Sequence, residues 1–163
     1  MIPISLSCVV ATSPTRMRAE DQLEMIRSTV NSVRLHVGDC IPTVVVCDHH
    51  KEADETEPWR QDKRGNVGVE VAREYARYKE LLAGDPTFGT VLPLPRHYGF
   101  AHAVGVAMRH HCSAASHILV IQHDFIFNDP VRLEVVMGAL RDGGFRYVVF
   151  PAGRKMVHTA RHV

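Results

Sequence analysis

The sequence predicts an α/β domain built on an open, mainly parallel sheet with helices on both faces. Two observations carry that expectation. Short β-rich runs alternate along the chain with stretches of helical period, the order in which strand–helix–strand units build a parallel sheet. Most of the runs are also almost continuously apolar, as strands are when both of their faces are covered. With 163 residues, 45% hydrophobic and 23% charged, the chain suits a single domain over 1–163 with a real core, and neither a disordered nor a low-complexity segment.

Five runs read as strands: Ile4 to Ala11, Thr43 to Cys47, Thr90 to Leu94, Ile118 to Gln122 and Tyr147 to Phe150. Between the first two, Leu23, Ile26, Val30, Val33 and Val37 recur at helical steps, one buried stripe that Gly38 ends. The polar stretch Lys51 to Gly68 follows, with Trp59 as its one large apolar residue; it reads as a mobile loop or flap. A second helix runs from about Val69 to Leu82, with Val71, Tyr75, Tyr78 and Leu82 on one face and Gly84 as its stop. A third follows Gly99, and its Ala101, Val104, Ala107, Met108 and Cys112 are mostly small enough to lie close to the sheet. The fourth begins at Asn128-Asp129-Pro130, a cap with proline in the first turn, and buries Leu133, Val136, Met137 and Leu140. The basic tail, 152–163, reads as a solvated terminus.

Composition excludes several function classes. Lys and Arg number 19 against 18 Asp and Glu, a formal charge of +1, so nothing drives the chain as a whole toward nucleic acid or acidic membrane. The longest apolar runs, such as Val44 to Cys47, fall well short of the roughly 20 residues that span a bilayer. Ile2 to Ala11 alternates like a strand and has no basic leader, so it reads as mature structure and not as a signal peptide. Cys8, Cys40, Cys47 and Cys112 form neither a C-x-x-C pair nor a disulfide or zinc spacing, and a reducing, cytoplasmic setting is the expectation. The adjacent pairs His49-His50 and His110-His111 lack a partner at helical spacing, which argues against a dedicated zinc site. Cys47 reads as a buried strand residue and not a nucleophile.

In an open parallel sheet the ligand crevice lies beyond the carboxyl ends of the strands, where strand order reverses. Here the first strand ends in Ala11-Thr12-Ser13-Pro14-Thr15-Arg16, the second in Asp48-His49-His50 and the fourth in Gln122-His123-Asp124, three polar clusters expected along one edge. Neither G-x-G-x-x-G after the first strand nor G-x-x-x-x-G-K-[ST] occurs, which argues against a dehydrogenase or a P-loop enzyme. A divalent cation can hold a diphosphate instead, with one or two protein oxygens and the remainder from the phosphates. Gln122 and Asp124, two apart on a strand and so on one face, suit that task; the competing reading is that Asp124 caps the turn leaving the strand.

Taken in order, these elements resemble the glycosyltransferase A fold, and in particular the family 2-like glycosyltransferases. Thr12-Ser13-Pro14-Thr15-Arg16 and Val44-Val45-Val46-Cys47-Asp48 begin the resemblance. His97-Tyr98-Gly99-Phe100-Ala101-His102-Ala103 is similar to the family's N-x-G-x-a-x-A segment, and Ile118-Leu119-Val120-Ile121-Gln122-His123-Asp124, with Pro130 shortly after, is similar to the strand bearing its metal-binding D-x-D. The resemblance implies a nucleotide-diphosphate sugar as donor. It places Thr12, Ser13, Arg16, Tyr98 and Gly99 about the nucleotide, Asp48 on its base or ribose, and Asp124 with Gln122 on Mn²⁺ or Mg²⁺ against the diphosphate.

Gln122 stands where the family has its first carboxylate, and an amide oxygen brings no charge, so weaker metal binding is expected than at a two-carboxylate site. Val104 and Gly105 stand where the family has an Arg-Asn pair. No residue reads as a general base and no acceptor is implied, so the resemblance extends to the donor-binding half. Two functions stay open: a metal-dependent sugar transferase, and a noncatalytic or truncated domain of the same fold that binds a nucleotide or a partner protein. A nucleotidyltransferase would need a glycine-rich loop after the first strand, and Ala11 to Met17 contains no glycine.

Overall fold

Side-chain alternation in the first two apolar runs explains the architecture. In β1 (Leu6–Thr12) and β2 (Thr43–Cys47), Cys8, Val10, Val45 and Cys47 enter one buried cluster while Val9, Ala11, Val44 and Val46 enter another. Both faces are apolar because both are covered. The computed structural model describes residues 5–52, 66–143 and 147–150. After β1 come α1 (Ala19–His36), β2, β3 (Lys51–Glu52), β4 (Asn66–Val67), α2 (Val69–Gly84) and a 3₁₀ turn (Pro86–Phe88). The chain continues through β5 (Thr90–Pro93), α3 (Phe100–His111), β6 (His117–Gln122) and α4 (Leu133–Asp142).

The main sheet has the order β5-β2-β1-β6, and every pair in it is parallel. Cys8 stands opposite Thr43 and Leu6 opposite His117, which fixes the register on either side of β1. One face carries α1 and α2, with Ile26, Val30, Val33, Tyr75, Tyr78 and Leu82 packed on Cys8, Val10 and Val45. The other carries α3, whose Ala103, Val104 and Ala107 lie on Val9, Ala11, Val44 and Val46. The expected open parallel sheet with helices on both faces is the architecture observed.

Polar residues on the buried stripe of α1 anchor the chain that leaves β6. The Thr29 hydroxyl donates to the His123 carbonyl (2.6 Å), the Phe127 amide donates to Ser32 Oγ (3.1 Å), and the Val131 amide donates to the His36 carbonyl (2.7 Å). Steps of three and four along α1 therefore meet steps of four along 123–131, and this ladder holds Asp124 in place at the sheet edge.

Four expectations need correction. Tyr147 to Phe150 forms no strand: Tyr147 and Val149 are 77% and 67% exposed, and the segment is fixed through Phe150, whose ring meets Phe127 edge-on at 5.5 Å. β6 is consequently an edge of the described sheet. Helix α4 starts at Leu133, not at the Asn128-Asp129-Pro130 cap, because the Val131 amide is already committed to the His36 carbonyl at the end of α1. On α3, Ala101 and Met108 face outward, and the buried positions are Ala103, Val104 and Ala107. The ends of the polar stretch 51–68 pair as a short parallel bridge, β3 with β4; 53–65, and the tail 152–163, lie outside the described residues.

Candidate nucleotide site

The strand order sets the place. Counting from β1, the chain adds β2 and β5 on one side and then β6 on the other, so order reverses between β1 and β6. Backbone bonds carry the alignment past the strand ends: His123 to Ala11 (3.0 Å), Asp48 to Thr12 (3.0 Å) and Leu94 to Cys47 (2.9 Å), each amide donating to the named carbonyl. The three polar clusters are thus brought to one edge, with Ser13 beside the Gln122–Asp124 turn and Asp48 one strand further along.

Thr12 ends β1 with its side chain turned inward. It is buried, and its hydroxyl oxygen accepts from Tyr78 Oη (3.2 Å) and Gln22 Nε2 (3.4 Å). Gln22 also donates to the Ser13 carbonyl (2.8 Å) and accepts from Thr15 Oγ1 (3.2 Å), while Tyr75 Oη donates to the Asp48 carbonyl (2.7 Å). This buried network shapes the loop leaving β1 and leaves Ser13 and Arg16 exposed. Helix α1 opens directly after that loop, and its first amide, on Ala19, donates to Glu74 of α2 at 2.7 Å, so a neighbouring helix supplies the cap that Arg18 cannot.

Asp48 is a buried acid surrounded by donors. Its Oδ1 accepts from the amides of His49 (3.0 Å) and Tyr98 (2.8 Å), and its Oδ2 accepts from the Gly99 amide (2.8 Å) with His97 Nδ1 3.0 Å away. A carboxylate offers about four lone-pair directions; three of them take backbone amides, and the His97 ring lies against Oδ2 with its own N–H directed to the His49 carbonyl. The charge thereby clamps 97–99 onto the end of β2. Gly99 allows the clamp, since its φ of 82° and ψ of 159° lie in a region nearly closed to other residues. Tyr98 is half-buried, with His102 stacked on its ring (4.8 Å) and the Arg96 guanidinium over it (4.8 Å).

Gln122 and Asp124 are exposed at the end of β6 and border one groove. That groove encloses about 930 Å³ along the outer side of β6 and is mostly apolar, lined by Phe100, Ile118, Val120, Leu133, Met137 and Tyr147 among others. It exists because α3 covers β1 and β2 but stops short of β6, leaving Val120 38% exposed. His123, between the two candidate ligands, is held below its ordinary titration range by burial, with the Asp124 charge pulling the other way. Among the described residues no three His, Cys, Asp or Glu side chains gather as a metal cluster. The expectation that Gln122 and Asp124 stand two apart on one strand face is corrected, since β6 ends at Gln122 and Asp124 lies in the turn that follows. A carboxylate and an amide oxygen are still donor types of the kind that Mn²⁺ or Mg²⁺ takes one or two of from protein, with phosphate and water completing the shell.

Cys47 is buried and its thiol is pushed up to about 12, chiefly by burial, which agrees with a packing residue and not a nucleophile. Sequence reasoning passed over Gln22 and Glu74 as organising groups, and read His97 as a phosphate-balancing or merely solvated residue, where its ring is instead turned to the His49 carbonyl and Asp48. Gln22 did carry a signal, since it falls four residues before Ile26 on the buried stripe; Glu74 acts across the fold and carried none.

Fold and strand order together define a Rossmann-like α/β domain, the architecture of many nucleotide-binding proteins. No family model, no curated protein and no solved structure matches the chain. In the described residues no helix is long and apolar enough to cross a membrane.

Proposed function

We propose that the chain binds a nucleotide-diphosphate sugar across the β1–β6 switch point and serves sugar transfer to an acceptor. The observation that carries this reading is the all-parallel order β5-β2-β1-β6, which sets Ser13 and the Gln122–Asp124 turn on opposite sides of the reversal. Ligands of open α/β sheets bind at that point. In this reading Asp124, with Gln122 as a neutral second ligand, holds Mn²⁺ or Mg²⁺ against the diphosphate. When bound, the cation offsets the charge that grows on the leaving diphosphate. Ser13 and Arg16 flank the phosphates from the β1 side. Asp48 acts at the nucleoside end by fixing Tyr98 and Gly99, both of which border the space beyond β2.

A thermal-shift panel of UDP, GDP, CDP and TDP, each with and without Mn²⁺, tests the proposal, because a ligand of the native state raises its stability. At least one nucleotide is expected to raise the melting temperature only when Mn²⁺ is present. No shift with any pair removes the reading.

A further inference from the structure

His97 holds its imidazole in one protonation pattern. Its Nδ1 lies 2.8 Å from the His49 carbonyl oxygen, which can only accept, so Nδ1 carries the hydrogen. Asp48 Oδ2, 3.0 Å from the same nitrogen, reinforces that choice in the way a carboxylate or carbonyl behind a functional histidine fixes its tautomer. In the neutral ring Nε2 is then a bare acceptor. The His97 side chain is 21% exposed, and its one hydrogen bond among the described residues is the one through Nδ1. A carbonyl and a buried acid on one side of the ring thus leave Nε2 as an unused acceptor at the end of β2.

The position suits the nucleoside end of the ligand. The ends of β2 and β6 are two strand spacings apart, roughly 10 Å, a span that a diphosphate and ribose bridge from Asp124. The end of β2 is also where doubly wound folds meet the ribose side of their nucleotides. With Arg96 and His102 on the Tyr98 ring, the exposed His102 ring of that stack is the flat surface on which a heterocycle can rest. A ribose hydroxyl both donates and accepts, and so would be indifferent to the tautomer; a base edge is not.

We propose that His97 Nε2 reads the base of the bound nucleotide, favouring bases that present a ring N–H (uracil, thymine, guanine) over those that present a bare ring nitrogen (cytosine, adenine). This rests on the nucleotide reading above. With uracil the N3–H donates to Nε2; with cytosine two lone pairs face each other and neither is satisfied. Sites built around one such hydrogen bond discriminate because the mismatched pair stays unpaired.

Calorimetry with Mn²⁺ at mildly alkaline pH, comparing UDP with CDP and GDP with ADP, tests the assignment in the parent and in His97→Phe. The parent is expected to prefer UDP and GDP by about tenfold, the factor that about 1.4 kcal/mol represents, and His97→Phe to lose that preference. Imidazole ¹⁵N spectra of the parent give a check independent of the variant's folding: the neutral His97 ring should carry its proton on Nδ1, and the Nε2 resonance should shift with UDP and not with CDP. Equal affinities for UDP and CDP in the parent, or a proton on Nε2, overturn the His97 assignment while leaving nucleotide binding standing. If none of the nucleotides binds, the reading under it fails and takes this one with it.

Discussion

Replacing Asp48 should loosen the fold at one spot, and the structure sets the size of the effect. Asp48→Ala strips the acceptor from three backbone amides, those of His49, Tyr98 and Gly99, at 2.8 to 3.0 Å. These three residues are only half-buried, so water recovers part of the loss. At about 1 kcal/mol for each amide, the variant is expected to lose about 3 kcal/mol. Asp48→Asn keeps one acceptor oxygen but turns an N–H toward Gly99 or His97, for a loss of about 1 to 2 kcal/mol. For a chain of this size each kcal/mol lowers the melting temperature by about 2 to 4 °C, so the alanine variant should melt about 6 to 12 °C early. Urea unfolding gives the free energies, and amide hydrogen exchange gives the location, with Tyr98 and Gly99 exchanging faster than the β1 amides. An alanine variant within about 0.5 kcal/mol of the parent, the range of an ordinary surface change, would refute the clamp.

Gly99→Ala should cost about 1 to 3 kcal/mol by urea unfolding, a backbone price alone, since a Cβ there meets no atom within 4 Å; a neutral result would mean that the loop relaxes freely. Burial holds His123 below its ordinary value of 6.5, so the fold favours the neutral ring and the unfolded chain takes up the proton first. Its stabilising contribution is therefore complete above about pH 6.5 and falls as the pH drops toward the folded value. Urea titrations from about pH 8 to pH 5 should show a shallower decline in His123→Gln than in the parent, and identical slopes would contradict this. Of the four cysteines only Cys40 is exposed, so a thiol reagent should modify Cys40 rapidly in the native protein, while Cys8 and Cys47, both pushed up to about 12 by burial, react only on unfolding. Mass mapping of the modified sites after a short exposure decides it, and early labelling of Cys8 or Cys47 would count against the packed core.

Much of the fold was legible because both faces of β1 and β2 are buried. A strand covered twice must be apolar throughout, and Thr43 to Cys47 was bounded without error from that alone. Helices α1 and α2 were legible for the complementary reason that one stripe of each packs on the sheet. Tyr147 to Phe150 has the same apolar composition and is no strand. Strand formation is decided by a partner's backbone, and Phe150 instead spends its burial on Phe127. The start of α4 was misplaced for a similar reason: the amide bond from Val131 to His36 crosses between distant parts of the chain and overrides the local cap.

At the site, position was easier to read than role. The clusters after β1, β2 and β6 do meet at one edge, as a parallel sheet requires. Which atoms face outward was not legible, since Thr12 and Asp48 look available in sequence and are turned inward by Gln22, Tyr78 and the 97–99 backbone. Those partners lie at separations from 10 to 66 residues, beyond the reach of any local pattern.

The central claim is that a divalent cation at Asp124 joins the protein to a nucleotide diphosphate, and calorimetric titration of UDP and GDP into the parent and Asp124→Ala tests it most directly. Asp124 is exposed, and the interaction its charge makes is the one with the neighbouring His123 ring, so the variant should fold as the parent does. Binding in the parent is expected to need Mn²⁺ or Mg²⁺, and Asp124→Ala is expected to lose the metal-dependent part while keeping the parent's melting temperature. Equal, metal-dependent binding in the two proteins would contradict the claim and move the cation away from the end of β6.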